Sequence, residues 1–598
     1  MKRIEYDVVI VDTGIYKDHP YLQSGEVYGI SFMNGKIYDT FDDDIGHGTA
    51  IYSIIKNHNK HCKIFNIKAF GKNNQCFISE MELISVLNFI YERIECKYIN
   101  LSIGLCFVSQ KKNLNAICQK LLSRGTIIVS AFDNSGCVSY PACLESVIGV
   151  TSHPLCTHLN DCIITNSKLV NVFANGNTQR ILWRTPLYVF LSGNSFACAH
   201  ITGLLSKSQE RFFSNEDAVN SLSANSLGMI MTERRMERNE FSLDGINNVA
   251  IFPFNKETHS IIRFEKYLTF NITKVYDIKY SCLVGASTKK LLGVDDVEFR
   301  DHIIDNIDNI DWNLFDMLIV GHLSHGSRLN DGENFLKEIV KKAISNGKRV
   351  YSFDRIGISG ERYFHPSINE NMVENTFGMF YKIIKPIVGV FGTSSKQGKF
   401  SLQLLIRYKL IERGYSVGQL GTEPSSLLFG MDECIPFGYN NENELKGNQF
   451  VSCINQHIRR IAEKDVDIII SGCQSESLIR DFCNESALTI RQFEFLLGLQ
   501  PDIIILSVNP FDDLHYIQRT ISYLESVSDS EVLCLSLFPV DLKNRKLGID
   551  SGKISLTQDS YEQLKSVYEG ELGKPVFHMG NMDDIERMVD LIIDYFSK

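Results

Sequence analysis

The strongest constraint on the fold is a rhythm of short Ile/Val-rich runs that alternate with stretches of helix length. In the first third of the chain the runs include YDVVIVDT, CKIFNIKAF, CKYINLSIG, GTIIVSAF and ESVIGVTS. Between them lie stretches with helical spacing, such as SEMELISVLNFIYERI and QKKNLNAICQKLLSRG. Strand, helix and strand in this order predict right-handed crossovers and an α/β fold, with a parallel sheet covered on both faces.

The same rhythm starts again near residue 270 and once more near residue 385. We therefore expect a first domain at 1–225, a Rossmann-like domain at 266–375 and a P-loop nucleotide-binding domain at 376–598. The charged and weakly periodic residues 226–265 are expected to be a linker or a peripheral decoration. A length of 598 residues suits a chain of several domains.

Composition excludes several classes of protein. The net charge is −10, from 61 basic and 71 acidic residues, which argues against a nucleic-acid partner. No apolar run approaches the roughly 18 residues that a membrane helix needs, so no membrane partner is expected either. The N-terminal MKRIEYDVVIVDTG lacks the apolar core of a secretory signal, and the 16 cysteines show no regular framework. These features predict reduced thiols and a cytoplasmic location.

Three short strings carry residues suited to nucleophilic catalysis. Asp12 ends a strand-like run in VVIVDTG, His47 lies in GHGTA, and Ser195 lies in SGNSFACAH. A serine hydroxyl becomes a good nucleophile when an imidazole takes its proton and a buried carboxylate orients that imidazole. Taken singly, the strings are more typical of a turn, a structural histidine and a loop than of a catalytic site.

In this chain order, however, the strings resemble the subtilisin-like serine proteases. VSAFDNSG (129–136) is similar to the oxyanion strand of that family. The resemblance implies a three-layer subtilisin-like sheet, a catalytic triad of Asp12, His47 and Ser195, and Asn134 as the side chain that donates to the oxyanion. It implies no cofactor for proteolysis.

A further match is INLSIG (99–104), which resembles the family's substrate-binding strand. The resemblance implies that Ser102 and Gly104 lie where an extended peptide or protein substrate pairs with the backbone. Two departures keep a peptide-binding pseudo-protease open as an alternative. Asp133 stands where the family has Gly, and Asn194 and Phe196 flank the serine where the family has Thr and Met.

The C-terminal third contains a glycine-rich loop between a strand and a helix, in KPIVGVFGTSSKQGKFSLQLLIRYKLIERG (385–414). Loop amides and the start of a helix attract phosphate, and a lysine neutralises it. The residues that would cradle a nucleotide are Gly392, Thr393, Gly398 and Lys399. A glycine-rich turn that binds nothing is the alternative.

The spacing of five residues between the two glycines resembles dethiobiotin synthetase and its P-loop relatives. It is closer still to an uncharacterised P-loop family that follows a Rossmann-like domain and includes some D-amino-acid N-acetyltransferases. That resemblance implies ATP or another nucleotide with Mg²⁺, and makes Ser401 the candidate Mg²⁺ ligand. Ser471 stands where the family usually has an acid.

The segment 315–353, which begins FDMLIVGHLSHG, resembles the Rossmann-like domain of the same family and places His322 and His325 after a strand. They are either ligand-binding residues or hydrogen-bonded loop histidines.

Together these features predict a cytoplasmic serine endopeptidase fused to a nucleotide-binding P-loop module, in a setting such as maturation of a ribosomally made peptide. One alternative is an ATP-dependent ligase or acyltransferase whose N-terminal half is a pseudo-protease. Another is a defence protease controlled by a nucleotide.

Overall fold

The computed structural model describes most of the chain. The ranges are 4–22, 27–33, 35–70, 78–232, 241–294, 298–322, 332–437, 445, 447–480, 482–483, 485–538, 540–541 and 554–598. The chain forms two compact units: residues 1–235 with 375–382, and residues 236–374 with 383–598.

The first unit is built on twelve strands and five helices among its described residues. The strands are β1 Ile4–Asp12, β2 Tyr28–Met33, β3 Lys36–Tyr38, β4 Ile64–Lys68, β5 Ile94–Leu101, β6 Ile127–Ala131, β7 Val147–Ser152, β8 Cys162–Thr165, β9 Val172–Ala174, β10 Gln179–Leu182, β11 Tyr188–Leu191 and β12 Ser226–Ile230. The helices are α1 His47–His58, α2 Glu80–Arg93, α3 Lys111–Ser123, α4 Asn194–Leu205 and α5 Asn215–Asn220.

Ten of these strands form one mostly parallel sheet in the order β12-β8-β9-β7-β6-β5-β1-β4-β2-β3. Alternate residues of β1 face opposite layers, as the two-residue period of a strand requires. Val8 and Ile10 pack with residues of α1 and α4, while Val9 and Val11 pack with residues of α2 and α3. The predicted three-layer α/β architecture is confirmed. Because β1, β5 and β6 are neighbours and parallel, the residues that follow them meet at one edge.

The second unit contains two parallel sheets with a shared core. The strands of the first are β13 Asn248–Phe252, β14 Asn271–Asp277, β15 Ile304–Asn306, β16 Met317–Val320, β17 Arg349–Ser352 and β18 Tyr363–Phe364, and its helices are α6 Lys256–Arg263, α7 Thr288–Leu292 and α8 Gly332–Ser345. Their order is β15-β14-β13-β16-β17-β18.

The second sheet has the order β21-β20-β22-β19-β23-β24-β27. The remaining strands are β19 Ile387–Gly392, β20 Val417–Gly421, β21 Glu433–Cys434, β22 Ile468–Gly472, β23 Ile503–Val508, β24 Glu531–Leu537, β25 Val540–Asp541, β26 Ile554–Ser555 and β27 Val576–His578. The helices are α9 Lys399–Glu412, α10 Asn448–Ala462, α11 Ile490–Leu499, α12 Leu514–Ser528, α13 Gln558–Leu572 and α14 Met582–Phe596. Leu404 of α9 and Phe429 share a hydrophobic cluster with Val249 of β13, so the two sheets pack together.

Two domain boundaries differ from the sequence prediction. Within 226–265, expected to be a linker or a decoration, residues 226–230 and 248–252 are strands of the two units: β12 pairs with β8 of the first unit, and β13 is a central strand of the six-stranded sheet. The five-residue run NVAIF is too short to stand out from its charged surroundings, although burial on both faces makes it a core strand.

The second difference is at residues 375–382, which were assigned at the junction of the Rossmann-like and P-loop domains. They belong to the first unit. The amide of Val138 donates to the carbonyl of Phe380 at 2.9 Å. The ring of Phe377 meets the ring of Phe173 edge-on, with 5.3 Å between centroids. An irregular segment held by side-chain contacts leaves no periodic signal in the sequence.

Among the helices within the described ranges, none combines the length and apolarity that crossing a bilayer requires.

Candidate active site and phosphate-binding loop

Asp12 and His47 form a hydrogen-bonded pair at the carboxyl end of β1. Asp12 is 1% exposed, and its Oδ1 lies 2.7 Å from Nδ1 of His47. Because an ionised carboxylate only accepts, Nδ1 carries the proton of the pair. The other ring nitrogen, Nε2, is left as the atom that can take a proton from a nucleophile.

Glycine explains how α1 approaches the turn after β1. A Cβ atom on Gly48 would lie 2.2 Å from the carbonyl oxygen of Gly14, so only glycine allows this close contact. The amide of Gly48 also donates to Oγ1 of Thr13 at 2.9 Å. The glycine next to His47 therefore brings the histidine to the aspartate.

Sequence reasoning missed Asp43, which is hydrogen-bonded both to the turn after β1 and to the start of α1. The buried carboxylate accepts hydrogen bonds from the Thr13 hydroxyl at 2.9 Å, from the Gly46 amide at 2.7 Å and from the amide and hydroxyl of Thr49 at 2.9 and 2.7 Å. The signal that could have found it is an acid shortly before a helix, which is typical of helix capping and is present in the sequence DDDIGHGT.

Burial by itself would lower the pKa of the His47 imidazole. The charge and hydrogen bond of Asp12 oppose this, as does the charge of Asp43, and the pKa of His47 is raised above its usual value. The site therefore favours the imidazolium that forms when His47 accepts a proton.

Ser195 lies in the first turn of α4, half-buried, directly after Asn194. The ring of Phe196 lies 5.9 Å from the ring of His47, which brings the start of α4 to the histidine. Within the described residues, no hydrogen bond joins Ser195 to His47. Such nucleophile–base contacts often tighten only when substrate binds.

Asn134 lies in the exposed loop after β6 and contacts the start of α4. Its Oδ1 accepts a hydrogen bond from the amide of Asn194 at 2.9 Å, and a Cβ on Gly193 would lie 3.4 Å from its Nδ2. The accepting oxygen faces the helix, which leaves Nδ2 as a donor beside Gly193, two residues before Ser195.

The predicted substrate strand lies next to this loop. Ser102 accepts a hydrogen bond from the side chain of Asn100 at 3.1 Å. A Cβ on Gly104 would lie 2.8 Å from the backbone nitrogen of Asp133, so glycine is required by close approach.

Asp133, the acid that departs from the family pattern, is turned into its own loop. Its carboxylate accepts hydrogen bonds from the amide of Ser135 at 2.8 Å and from the hydroxyl of the same residue. Its amide donates to the Ser139 hydroxyl at 2.8 Å.

The glycine-rich loop follows β19 and leads into α9. Gly398 caps this helix in the left-handed conformation, with φ of 70°, and no side chain caps the helix amides. The buried Nζ of Lys399 donates to the carbonyls of Ser394 and Ser475 at 2.7 and 2.9 Å. Burial lowers the pKa of Lys399 to about 8.

The side chains of Thr393 and Gln397 are hydrogen-bonded to each other across the loop. The buried hydroxyl of Thr393 donates to Asp512 and accepts from Nε2 of Gln397 at 2.7 Å. Oε1 of Gln397 accepts from the Ser394 amide at 3.0 Å. A side-chain oxygen thus occupies the backbone amide of Ser394 within the loop.

These residues fit a nucleotide phosphate. The uncapped start of α9 and the buried ammonium of Lys399 supply what an anion needs. Gly392 ends β19, and the half-buried Ser401 lies in the first turn of α9, where its side-chain hydroxyl makes no hydrogen bond to another described residue. Ser471 instead donates to the carbonyl of Leu420 at 2.8 Å.

Further histidines lie outside the Asp12–His47 pair. His200 on α4 is buried and hydrogen-bonded to His58 and Gln179, each at 3.0 Å. His322 pairs with Asp354 at 2.6 Å, and His325 lies outside the described residues.

These folds and sites define a two-part α/β protein with a serine-protease-like edge in one unit and a phosphate-binding loop in the other. Residues 6–236 match the Subtilase family, and residues 378–584 match a P-loop domain of unknown function, DUF1611. The chain therefore carries a subtilase-family domain at its N-terminus and a DUF1611 P-loop domain at its C-terminus.

The curated relatives that match the first part include two proteinases. Subtilase-type proteinase RRT12 of Saccharomyces cerevisiae is 27% identical over 237 residues, which span 34% of this chain and 44% of the yeast protein. Thermitase of Thermoactinomyces vulgaris is 27% identical over 227 residues, which span 35% of this chain and 77% of thermitase.

The solved structures that are similar to parts of the chain include the following two. A DUF1611 family protein from Anabaena variabilis has a TM-score of 0.41 at 15% identity, covering 58% of this chain and 99% of that one. A cold-adapted subtilisin-like serine proteinase has a TM-score of 0.30 at 18% identity, covering 36% and 80%.

Proposed function

We propose that the first unit is a serine endopeptidase. The observation that carries the proposal is the 2.7 Å contact between Asp12 and His47 at the edge where Ser195 and Asn134 also lie. In this proposal Ser195 attacks the scissile carbonyl while Nε2 of His47 takes its proton. His47 then returns the proton to the leaving amine, and Asp12 stabilises the imidazolium throughout.

The oxyanion of the tetrahedral intermediate is stabilised by Nδ2 of Asn134 together with the backbone amide of Ser195. The substrate is an extended segment of a peptide or protein that pairs beside Ser102 and Gly104. The raised pKa of His47 supports this role, because proton transfer to a stronger base is more favourable.

A fluorophosphonate probe tests this proposal, because it labels serines that are activated as nucleophiles. Ser195→Ala is expected to abolish labelling, whereas Ser123→Ala, an exposed serine at the end of α3, serves as the matched control and labels like wild type. Equal labelling of wild type and Ser195→Ala refutes the protease assignment.

We further propose that the second unit binds a nucleoside triphosphate with Mg²⁺ at the loop 392–399. Lys399 neutralises the phosphates, the amides at the start of α9 donate to them, and Ser401 is the proposed ligand of the metal ion, which balances the remaining phosphate charge. The uncapped helix start supports this assignment.

Isothermal titration with ATP and Mg²⁺ tests nucleotide binding. Lys399→Ala is expected to lose measurable binding, and Lys565→Ala on α13 is the control that retains it. Unchanged ATP binding by Lys399→Ala removes this loop as the binding site.

A further inference from the structure

The six-stranded sheet of the second unit has a point at which its strand order reverses. From β13 the chain first builds β14 and β15 on one side, and then β16, β17 and β18 on the other. In parallel sheets the loops diverge at such a point and leave a crevice at the carboxyl ends of the two central strands. Asn255 follows β13, His322 follows β16 and Asp354 follows β17, so all three lie at that crevice.

A histidine–aspartate pair is built into the crevice. Nδ1 of His322 lies 2.6 Å from Oδ1 of Asp354, and their side chains are 12% and 7% exposed. The side-chain amide of Asn255 donates to the carbonyl of His322 at 2.9 Å and fixes the backbone there. Because the carboxylate accepts from Nδ1, Nε2 is the nitrogen that can take a proton.

The loop after β20 of the seven-stranded sheet lies against the same crevice. The hydroxyl of Tyr351 on β17 donates to the carbonyl of Pro424 at 2.5 Å and fastens this loop to the six-stranded sheet. Glu423 precedes that proline, and its charge acts on both His322 and Lys399. Glu423 is therefore close enough to act electrostatically on both the histidine and the lysine of the phosphate-binding loop.

We propose that this crevice is the acceptor half of a phosphoryl-transfer site, in which His322, positioned by Asp354, is the general base for a small molecule bearing a hydroxyl group. The proposal rests on the nucleotide binding at Lys399 proposed above. A base is needed for an acceptor that must lose a proton, which fits a hydroxyl and excludes a carboxylate.

The acceptor hydroxyl gives its proton to Nε2 of His322 while its oxygen forms a bond to the γ-phosphorus of the nucleoside triphosphate. The bond from that phosphorus to the β–γ bridging oxygen breaks, and the nucleoside diphosphate leaves with the electron pair. Lys399 offsets the charge that develops on the phosphates.

The electrostatics support the direction of proton transfer. Burial would lower the pKa of His322, but the hydrogen bond and charge of Asp354 and the charges of Glu257 and Glu423 raise it. His322 is a base only when it is neutral, so turnover is expected to rise with pH through the raised pKa. Asp354→Asn removes the charge nearest the ring and is expected to move this midpoint to lower pH.

ATP hydrolysis, in which water stands in for the acceptor hydroxyl, tests the proposal. His322→Gln and Asp354→Asn are each expected to lower the turnover of MgATP by about 100-fold while the affinity for ATP, measured by titration, stays within about twofold. His515→Gln, an exposed histidine on α12, is the matched control and hydrolyses ATP like wild type. If His322→Gln does not fold, Asp354→Asn carries the test, since it keeps the volume of the side chain.

A second measurement does not depend on turnover. Diethylpyrocarbonate modifies accessible neutral histidines, and peptide mass spectrometry locates the modified residue. ATP with Mg²⁺ is expected to slow modification of His322 several-fold in wild type but not in Lys399→Ala, and to leave His515 unaffected in both.

The outcomes separate the two proposals. Wild type that does not bind ATP refutes nucleotide binding, and the acceptor site falls with it. If ATP binding is intact, two results overturn the role of His322 alone. One is equal ATP turnover in wild type and both variants, including no turnover in any of them. The other is that ATP does not protect His322 from modification.

Discussion

Asn134 and Asn194 join the loop after β6 to the start of α4 by hydrogen bonds in both directions. Oδ1 of Asn134 accepts from the amide of Asn194 at 2.9 Å. In return, Nδ2 of Asn194 donates to the carbonyls of Phe132 and Asp133 at 3.0 and 3.3 Å. The buried Asn194 thereby fixes the loop that carries Asn134 relative to Ser195.

Asn134→Ala tests the role of the donor in this pair. Removing one oxyanion donor typically lowers kcat by about 10²–10³, because the interaction forms only in the transition state. We expect such a loss with KM changed less than about threefold, measured on a peptide substrate. Asn113→Ala, an exposed asparagine on α3, is the control with wild-type kinetics. A rise in KM at constant kcat contradicts the assignment.

The pH profile of proteolysis tests the Asp12–His47 pair. His47 is a base only when neutral, and its pKa is raised, so kcat/KM is expected to rise with pH with a midpoint above about 6.5. Asp12→Asn is expected to lower that midpoint and to reduce kcat by about 10⁴, because the amide no longer holds the productive tautomer.

The control for this pair is Asp217→Asn, an exposed aspartate on α5, for which we expect the wild-type profile. A midpoint that stays in place in Asp12→Asn would show that the titration belongs to another group.

The strand-end residues were predictable because parallel strands order their carboxyl ends along one edge. Asp12 and Asn134 each follow an apolar run that is evident in the sequence. Asp43 was missed, because its importance comes from four polar groups that converge on it from Thr13, Gly46 and Thr49 in the folded chain. One sequence shows the capping acid, but the convergence needs the tertiary structure.

The roles of β13 and of residues 375–382 could not be predicted from the sequence for a different reason. β13 has five residues and no alternation, because both of its faces are buried, so its sequence does not differ from other short apolar runs. Residues 375–382 join the first unit through a contact between Phe380 and Val138 that is distant in sequence. Periodicity reports only local structure, and neither feature is local.

Acid sensitivity of the first unit is expected from His58 and His200. The two rings are buried against each other, with Nε2 of His58 3.0 Å from Nδ1 of His200. Burial and the neighbouring positive charges lower the pKa of His58 to about 3, and burial lowers that of His200 to about 4. In the unfolded chain both titrate near about 6.5.

Below that pH the unfolded state binds protons that the folded state does not. Stability is therefore complete above about pH 6.5 and falls towards pH 4, by about 1.4 kcal/mol per pH unit for each histidine. In urea unfolding, the free energy of unfolding of His200→Gln is expected to depend less steeply on pH between pH 6 and 4.5. The reduction in slope corresponds to about one proton. His61→Gln, an exposed histidine, is the control. Identical slopes in all three proteins would contradict the assignment.

Gly48→Ala tests the close approach of α1 to the turn after β1. The new Cβ would lie 2.2 Å from the carbonyl oxygen of Gly14, so backbone has to move. Overpacking of this kind costs about 1–3 kcal/mol, and we expect the free energy of unfolding to fall by that amount and kcat to fall with it. Gly228→Ala on β12 adds a Cβ with no atom within 4 Å and is expected to change neither.

Gln397→Ala tests whether the phosphate-binding loop competes with its ligand. Oε1 of Gln397 accepts the Ser394 amide at 3.0 Å, and a phosphate oxygen needs the same donor. A hydrogen bond contributes about 0.5–1.5 kcal/mol net, so freeing this amide is expected to raise ATP affinity by about two- to tenfold in calorimetric titration. Gln558→Ala on α13 is the control, since its exposed amide pairs with Glu562. A loss of affinity in Gln397→Ala would instead assign the glutamine to shaping the loop, because its second hydrogen bond holds Thr393 at 2.7 Å.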